Sequence, residues 1–323
     1  MRIRNVFLIV VFGAAGMFSQ NGPGGRSNAI KNDPPLMSLD VAVFDSQGKP
    51  VTNLSRTDFE VLEDGVAQTV RSFTPADTPY HILLLLDCGD NTRARLKLLT
   101  DALASFADQL RTGDRVEIAA FGTEVRVLLD WNADKTSKID FEDNRICMGT
   151  DFYGALNWSV NELRNVSGRR SVVVFSDGFQ ADIARQEVEK NGYRIHRVVP
   201  PAKDGGFQRV LKEVQASGAL FYFVAVDTDL NPDSEAGVPI QDLQQVRARM
   251  EQLAEESGGR IVFPRESSEV VPLFRRIGRE LGSSYGLGFT PQPTKDGNYH
   301  TIEVRVRGEN YLVQQSRKGY KAD

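Results

Sequence analysis

A chain of 323 residues, 41% of them hydrophobic and 25% charged, is ordinary for a globular protein and long enough to bury a sizeable core. Its formal charge of −4 excludes a broadly basic surface of the kind that binds nucleic acid or anionic membrane. Two cysteines and three scattered histidines, His81, His196 and His300, show no zinc spacing.

Residues 1–19 carry Arg2 and Arg4, then an apolar stretch from Val6 to Phe18, then small residues. That is the plan of a secretory signal peptide cut near Ser19, with Ala15 or Gly16 as alternative sites. An uncleaved membrane anchor is the competing reading. No later segment reaches the ~18 apolar residues of a membrane helix, so no integral span is expected in the mature chain. Residues 20–36 are rich in Gly, Asn and Pro and read as a flexible linker.

From Met37 to about Thr78 the pattern is short strands and turns. Leu39, Val41 and Val43 alternate with Asp40 and Ala42. Phe59–Leu62 reads as a strand, Glu63-Asp64-Gly65 as a turn, and Val66–Phe73 as one further strand. About 40 residues without a metal or disulfide cannot hold a core alone. A partner is therefore expected in the strand patterns of 284–323, where Tyr285–Phe289, Thr301–Val306 and Tyr311–Val313 lie. The two pieces should form one discontinuous β-sandwich with Val41, Val43, Phe59, Val61, Phe289, Ile302 and Val304 in its core.

Between them, 79–283 alternates strands with helices. Ile82–Leu86 is a continuous apolar run, the mark of a strand buried on both faces. A helical pattern follows, with Leu96, Leu99, Leu103, Phe106 and Leu110. Val116–Phe121 and Val125–Leu129 flank Gly122-Thr123-Glu124 and read as a hairpin. Phe152–Leu163, Val246–Ala254 and Val270–Leu281 read as helices, and Ser171–Phe175 and Ala219–Val226 as buried strands. The expected fold is α/β, a doubly wound, mostly parallel sheet inserted in the small β-sandwich. Ligands of such sheets sit outside the carboxyl ends of the strands, where Asp87 stands.

Three short motifs lie at those ends: Asp87-Cys88-Gly89-Asp90-Asn91, Gly149-Thr150-Asp151 and Ser176-Asp177-Gly178. Taken singly, each has a plain alternative as a helix cap or a turn. Together, in this order, they resemble the metal-ion-dependent adhesion site of von Willebrand factor A domains. The flanks DVAVFDSQGKPVTNLSRTDFEVLEDGVAQTVRSF and YGLGFTPQP…YHTIEVRV resemble the exported acidobacterial VWFA-related proteins. The resemblance implies a site for Mg²⁺ or Mn²⁺, held by hard oxygen ligands and completed by a partner's carboxylate. Carried over by position, the ligands are Asp87, Asn91, Thr150 and Asp177, with Asp90 as a nearby auxiliary acid. Both family serines are replaced, by Gly89 and Asn91, so the implied site is degenerate. The resemblance also brings the first two loops to one edge, which makes Cys88 and Cys147 candidates for a disulfide in an oxidising compartment.

The implied function is an exported, non-enzymatic binding module that grips another protein of the envelope or outside the cell. The chain has no phosphate loop, no His-Glu-x-x-His and no Gly-x-Ser-x-Gly elbow. The alternative is a metal-assisted hydrolase using Asp87, Asp177 and Asp227.

Overall fold

A computed structural model describes residues 36–89, 96–133, 147–226, 238–292, 296–308 and 310–322. The expected signal peptide, the linker up to residue 35, Asp90, Asn91 and Asp227 lie outside these residues. In chain order the elements are β1 (Met37–Phe44), β2 (Phe59–Glu63), β3 (Val66–Gln68), β4 (Ser72–Thr74), β5 (Tyr80–Asp87), α1 (Leu96–Ala107), β6 (Arg115–Phe121), β7 (Val125–Leu129), α2 (Phe152–Leu163) and β8 (Arg169–Ser176). Then come β9 (Arg185–Lys190), β10 (Tyr193–Val198), α3 (Gly205–Ser217), β11 (Leu220–Ala225), α4 (Ile240–Ser257), β12 (Arg260–Val262), α5 (Val270–Leu281), β13 (Ser284–Phe289), β14 (Tyr299–Val306), β15 (Leu312–Gln315) and β16 (Gly319–Lys321).

The larger sheet has the order β12-β11-β8-β5-β6-β7. All its pairs are parallel except β6 with β7. Side chains along a strand alternate faces, so a strand covered by helices on both sides must be apolar throughout. On β5, Leu83 and Leu85 pack into one core with Phe152 and Leu156 of α2, Phe207 of α3 and Met250 of α4. Ile82, Leu84 and Leu86 enter the other, with Leu103 and Phe106 of α1 and Phe274 and Ile277 of α5. Truncating one such leucine to alanine costs about 2–5 kcal/mol. The chain leaves β5 first for β6 on one side and later for β8 on the other. The carboxyl end of β5 is therefore the topological switch point of the sheet.

Two four-stranded antiparallel sheets, β15-β1-β13-β4 and β16-β14-β2-β3, enclose a third core. Each joins strands from both sides of the α/β portion in sequence: Leu39 lies opposite Leu287, and Val61 opposite Val304. Leu39, Val41, Val43, Phe59, Val61, Tyr285, Leu287, Phe289, Ile302 and Val304 fill it. An ion pair of Asp40 on β1 with Arg169 on β8, 3.1 Å apart, ties this sandwich to the α/β sheet, and Tyr80 donates its hydroxyl to Asp40.

The stretch Val66–Phe73 departs from the single strand expected. It splits into β3, which pairs with β2, and β4, which pairs with β13 of the other sheet. Residues 69–71 carry the chain between the two layers. No glycine or proline marks that crossing, so a continuous β pattern conceals it.

Candidate functional site

The three motif loops meet at the switch point. Asp87, the last residue of β5, is buried. Its Oδ1 accepts the Gly89 N–H at 2.9 Å, and its Oδ2 accepts the Ser176 hydroxyl at 2.6 Å. The Ser176 oxygen in turn accepts the Gly178 N–H at 2.9 Å. Asp177 Oδ1 accepts the Phe179 N–H at 3.0 Å, a local turn that fixes its carboxylate.

The second loop is stitched in from several directions. Cys147 and Cys88 form a disulfide with Cα atoms 4.9 Å apart, and both are buried. Met148 O accepts the Thr123 N–H at 3.1 Å, Gly122 O accepts the Asp151 N–H at 2.7 Å, and Thr150 O accepts the Ala181 N–H at 2.9 Å. Asp151 caps α2 by accepting the Gly154 N–H at 3.0 Å, and also receives Gln180 Nε2 at 3.1 Å. Gln180 Oε1 accepts the Tyr153 N–H at 2.8 Å. One loop is thus bound to both others, while Met148 stands out of it, 66% exposed.

Behind α2 lies a fully buried charge network. Arg249 of α4 donates to Asp204 Oδ2 at 3.0 Å, to Tyr153 Oη at 3.0 Å and to Val199 O at 2.9 Å. Burial by itself would raise Asp204. Its bonds from Phe207 N, Arg249 and Tyr153 instead hold the carboxyl below its ordinary value. Burial pushes the Tyr153 hydroxyl up. The network fixes the start of α2, and with it Thr150 and Asp151.

At Gly89, where the family has a serine, the space for a side chain is taken. A Cβ there would lie 2.2 Å from Thr150 Oγ1, 2.7 Å from Gly149 O and 3.2 Å from Asp87 Oδ1. The position of a family serine is therefore filled by the second loop. Both Asp87 oxygens and one Asp177 oxygen already accept protein donors. Among the described residues no group of three or more His, Cys, Asp or Glu is arranged to hold a metal. Asp87 and Thr150 meet around Gly89, while Asn91, the other ligand the resemblance implies for the first loop, lies outside the described residues.

Sequence reasoning passed over Ser176, although the Ser-Asp-Gly motif contained it. It also passed over Gln180, for which the chain offered no signal. The hairpin of β9 and β10, anchored where Val198 N donates to Asp242 Oδ1 at 3.1 Å, went unread as well.

A doubly wound sheet with three loops converging at its switch point, crossed by one antiparallel edge strand, is a von Willebrand factor A-like α/β fold. Residues 82–180 match the family model of the von Willebrand factor type A domain. Among solved structures, an aerotolerance-related membrane protein from Bacteroides fragilis aligns over 62% of this chain and 98% of its own, with 18% identity and a TM-score of 0.42. A von Willebrand factor type A protein from Catenulispora acidiphila aligns over 82% of this chain and 72% of its own, with 11% identity and a TM-score of 0.42. The vWF domain of the type V pili tip protein Mfa5 from Porphyromonas gingivalis covers 63% and 95%, with 12% identity and a TM-score of 0.41. No curated protein matches the chain. No helix among the described residues is long and apolar enough to cross a membrane.

Proposed function

We propose that this chain is an exported, non-enzymatic protein-binding module that docks its partner on the carboxyl edge of the six-stranded sheet. The observation that carries the reading is the second loop: a rigidly bonded, disulfide-tied segment that holds Met148 outward at the switch point. Methionine is enriched at protein interfaces, and a fixed loop loses little entropy on binding. Asp87, Thr150 and Asp177 organise this face. Asp90 and Asn91 follow Gly89 in the sequence and lie outside the described residues. The disulfide and the hydrogen bonds hold the loops in place of Mg²⁺ or Mn²⁺. Export is supported by the charged-then-apolar pattern of residues 1–19 and by the disulfide, which persists in oxidising compartments. The sandwich built from 37–78 and 284–323 serves as the mount, and the partner is another protein of the envelope or the exterior. A hydrolase using Asp87 is disfavoured, because both its oxygens are engaged by Gly89 and Ser176.

The test places a photo-crosslinking residue at Met148 and, as control, at the exposed Asn53 on the sandwich. The oxidised full chain is irradiated in envelope extract. One adduct, formed from position 148 alone and indifferent to chelator, is expected. An adduct lost on adding chelator would return the metal to the mechanism. Equal adducts from both positions would remove the docking face.

A further inference from the structure

A second site lies away from the motif loops, where the sandwich meets the α/β portion. A cleft of about 700 Å³ opens there, lined by Arg260, Arg276, Lys318, Val313, Gln314 and Glu303 among others. That volume lies within the range of ligand-binding clefts. Two sheet edges border it: β12 is the outer strand of the six-stranded sheet, and β15 is the outer strand of its own. Arg260 Nη2 spans the gap to Gln315 O at 3.5 Å.

The charge of the cleft opposes that of the chain, whose sequence pI is about 5.6. Three cations line it. The one lining acid, Glu303, is taken by Arg305 through two bonds of 2.7 and 2.9 Å. Behind the wall, the buried Glu280 holds Arg260 Nη1 at 3.2 Å and Arg276 Nε at 3.0 Å. Two guanidinium groups are thus fixed in place with further N–H donors remaining. Planar donors held in this way suit carboxylates. Ile302 and Val313 supply apolar surface between them.

Gln314 adds a requirement of its own. Its Oε1 is buried and, among the described residues, accepts no hydrogen bond. An orphaned acceptor is costly, and it calls for an N–H donor. Its neighbour Gln315 is fully used: Oε1 accepts Val304 N at 2.8 Å, and Nε2 donates to Ile302 O and Arg317 O, each at 2.7 Å. A ligand that offers carboxylates, backbone N–H groups and small apolar side chains, in extended form beside a free strand edge, is a peptide segment.

We propose that this cleft binds an extended acidic segment of a partner protein, with its carboxylates on Arg260, Arg276 and Lys318 and a backbone N–H on Gln314 Oε1. The site is independent of the loop edge, so either can fail without the other.

The probe is a fluorescein-labelled octapeptide of alternating glutamate and valine, titrated into the full chain and read by anisotropy. Its lysine–valine counterpart and free glutarate are the comparison ligands. Saturable binding of the acidic peptide is expected, at least tenfold weaker with Arg276→Glu plus Lys318→Glu and unchanged with Arg194→Glu on the β9–β10 hairpin. Amide shifts of residues 313–318 on titration locate the site even if the double variant folds poorly. Equal binding of the lysine peptide overturns the proposal, as does shift perturbation confined elsewhere. Glutarate binding as tightly as the peptide would show a small-anion site and overturn the peptide reading.

Discussion

Restoring a serine at position 89 tests whether the second loop is held closed over the first. Gly89 is not in the left-handed region, so its backbone accepts a side chain. The obstacle is steric: a Cβ at 2.2 Å from Thr150 Oγ1 and 2.7 Å from Gly149 O. The Thr150 hydroxyl can rotate away. The Gly149 carbonyl cannot, because the carbonyls on either side of it accept Thr123 N and Ala181 N, and Cys147 is bonded to Cys88. The loop must recede as a unit. Overpacking of this kind costs about 1–3 kcal/mol, or roughly 1.5–4.5 °C in Tm for a chain of this size. Removing the disulfide by Cys88→Ser with Cys147→Ser frees the loop to recede. That removal itself costs at most about 4 kcal/mol by the chain-entropy model. In that background Gly89→Ser should cost under about 1 kcal/mol. Urea denaturation of the four proteins yields the coupling energy. A coupling within about 0.5 kcal/mol of zero would refute closure by the disulfide.

Arg249→Ala leaves Asp204 buried without its guanidinium, and should cost about 3–5 kcal/mol in urea denaturation; a cost under about 1 kcal/mol would mean the network is slack. Protonated His300 donates from Nδ1 to Asp64 at 2.7 Å and from Nε2 to Asp296 at 3.2 Å, and these bonds, Asp64 first, raise its pKa. Asp64 and Asp296 are lowered, chiefly by the backbone N–H groups of Thr301 and Asn298. The raised histidine stabilises fully below about pH 6.5 and fades as pH rises through its folded value, while the lowered acids stabilise above about pH 4 and fade as pH falls. The cluster should therefore be strongest between those limits; an NMR titration of His300 at or below the free-histidine value would contradict it. Glu117 is 1% exposed, and burial, helped by the charges of Glu162 and Asp130, pushes it up to about 8. Its folded-state pKa is raised, so its contribution is complete below about pH 4.5 and is lost as pH rises through about 8. Glu117→Gln should flatten the decline of stability across that interval in thermal melts, and an unchanged slope would count against it.

The elements written most plainly in the chain are those with a single period and clear ends. The buried run Ile82–Leu86 read as a central strand, and Phe152–Leu163 carried its apolar face together with a cap at Thr150 or Asp151, of which the structure uses Asp151. The β9–β10 hairpin was missed despite Asn191-Gly192, whose φ values of 53° and 80° suit a two-residue turn. Its flanks, RQEVEK and YRIHRV, are mostly exposed and hold few apolar residues, so the alternation of Tyr193 and Ile195 with Arg194 and His196 was too short to stand out. Helix α3 has Phe207, Val210, Leu211 and Val214 at helical spacing, but it opens on Gly205-Gly206, which reads as a loop. At the site, the motifs identified which loops meet. The filling of the serine space by Thr150 was invisible, because it depends on where two loops stop relative to each other. Likewise, the cationic cleft gathers Arg260, Arg276, Gln314 and Lys318 from the end of one fold unit and the last strands of another, with no local pattern to betray it.

The most direct measurement is a titration of the oxidised full chain with Mg²⁺ and Mn²⁺, followed by calorimetry and by the amide signals of Gly89, Thr150 and Asp177. If the disulfide has taken over the work of the cation, millimolar metal should produce no saturable heat and no site-specific shift at these residues, and partner capture through Met148 should persist in chelator. Saturable binding that shifts Gly89 and Thr150 together would contradict the reading.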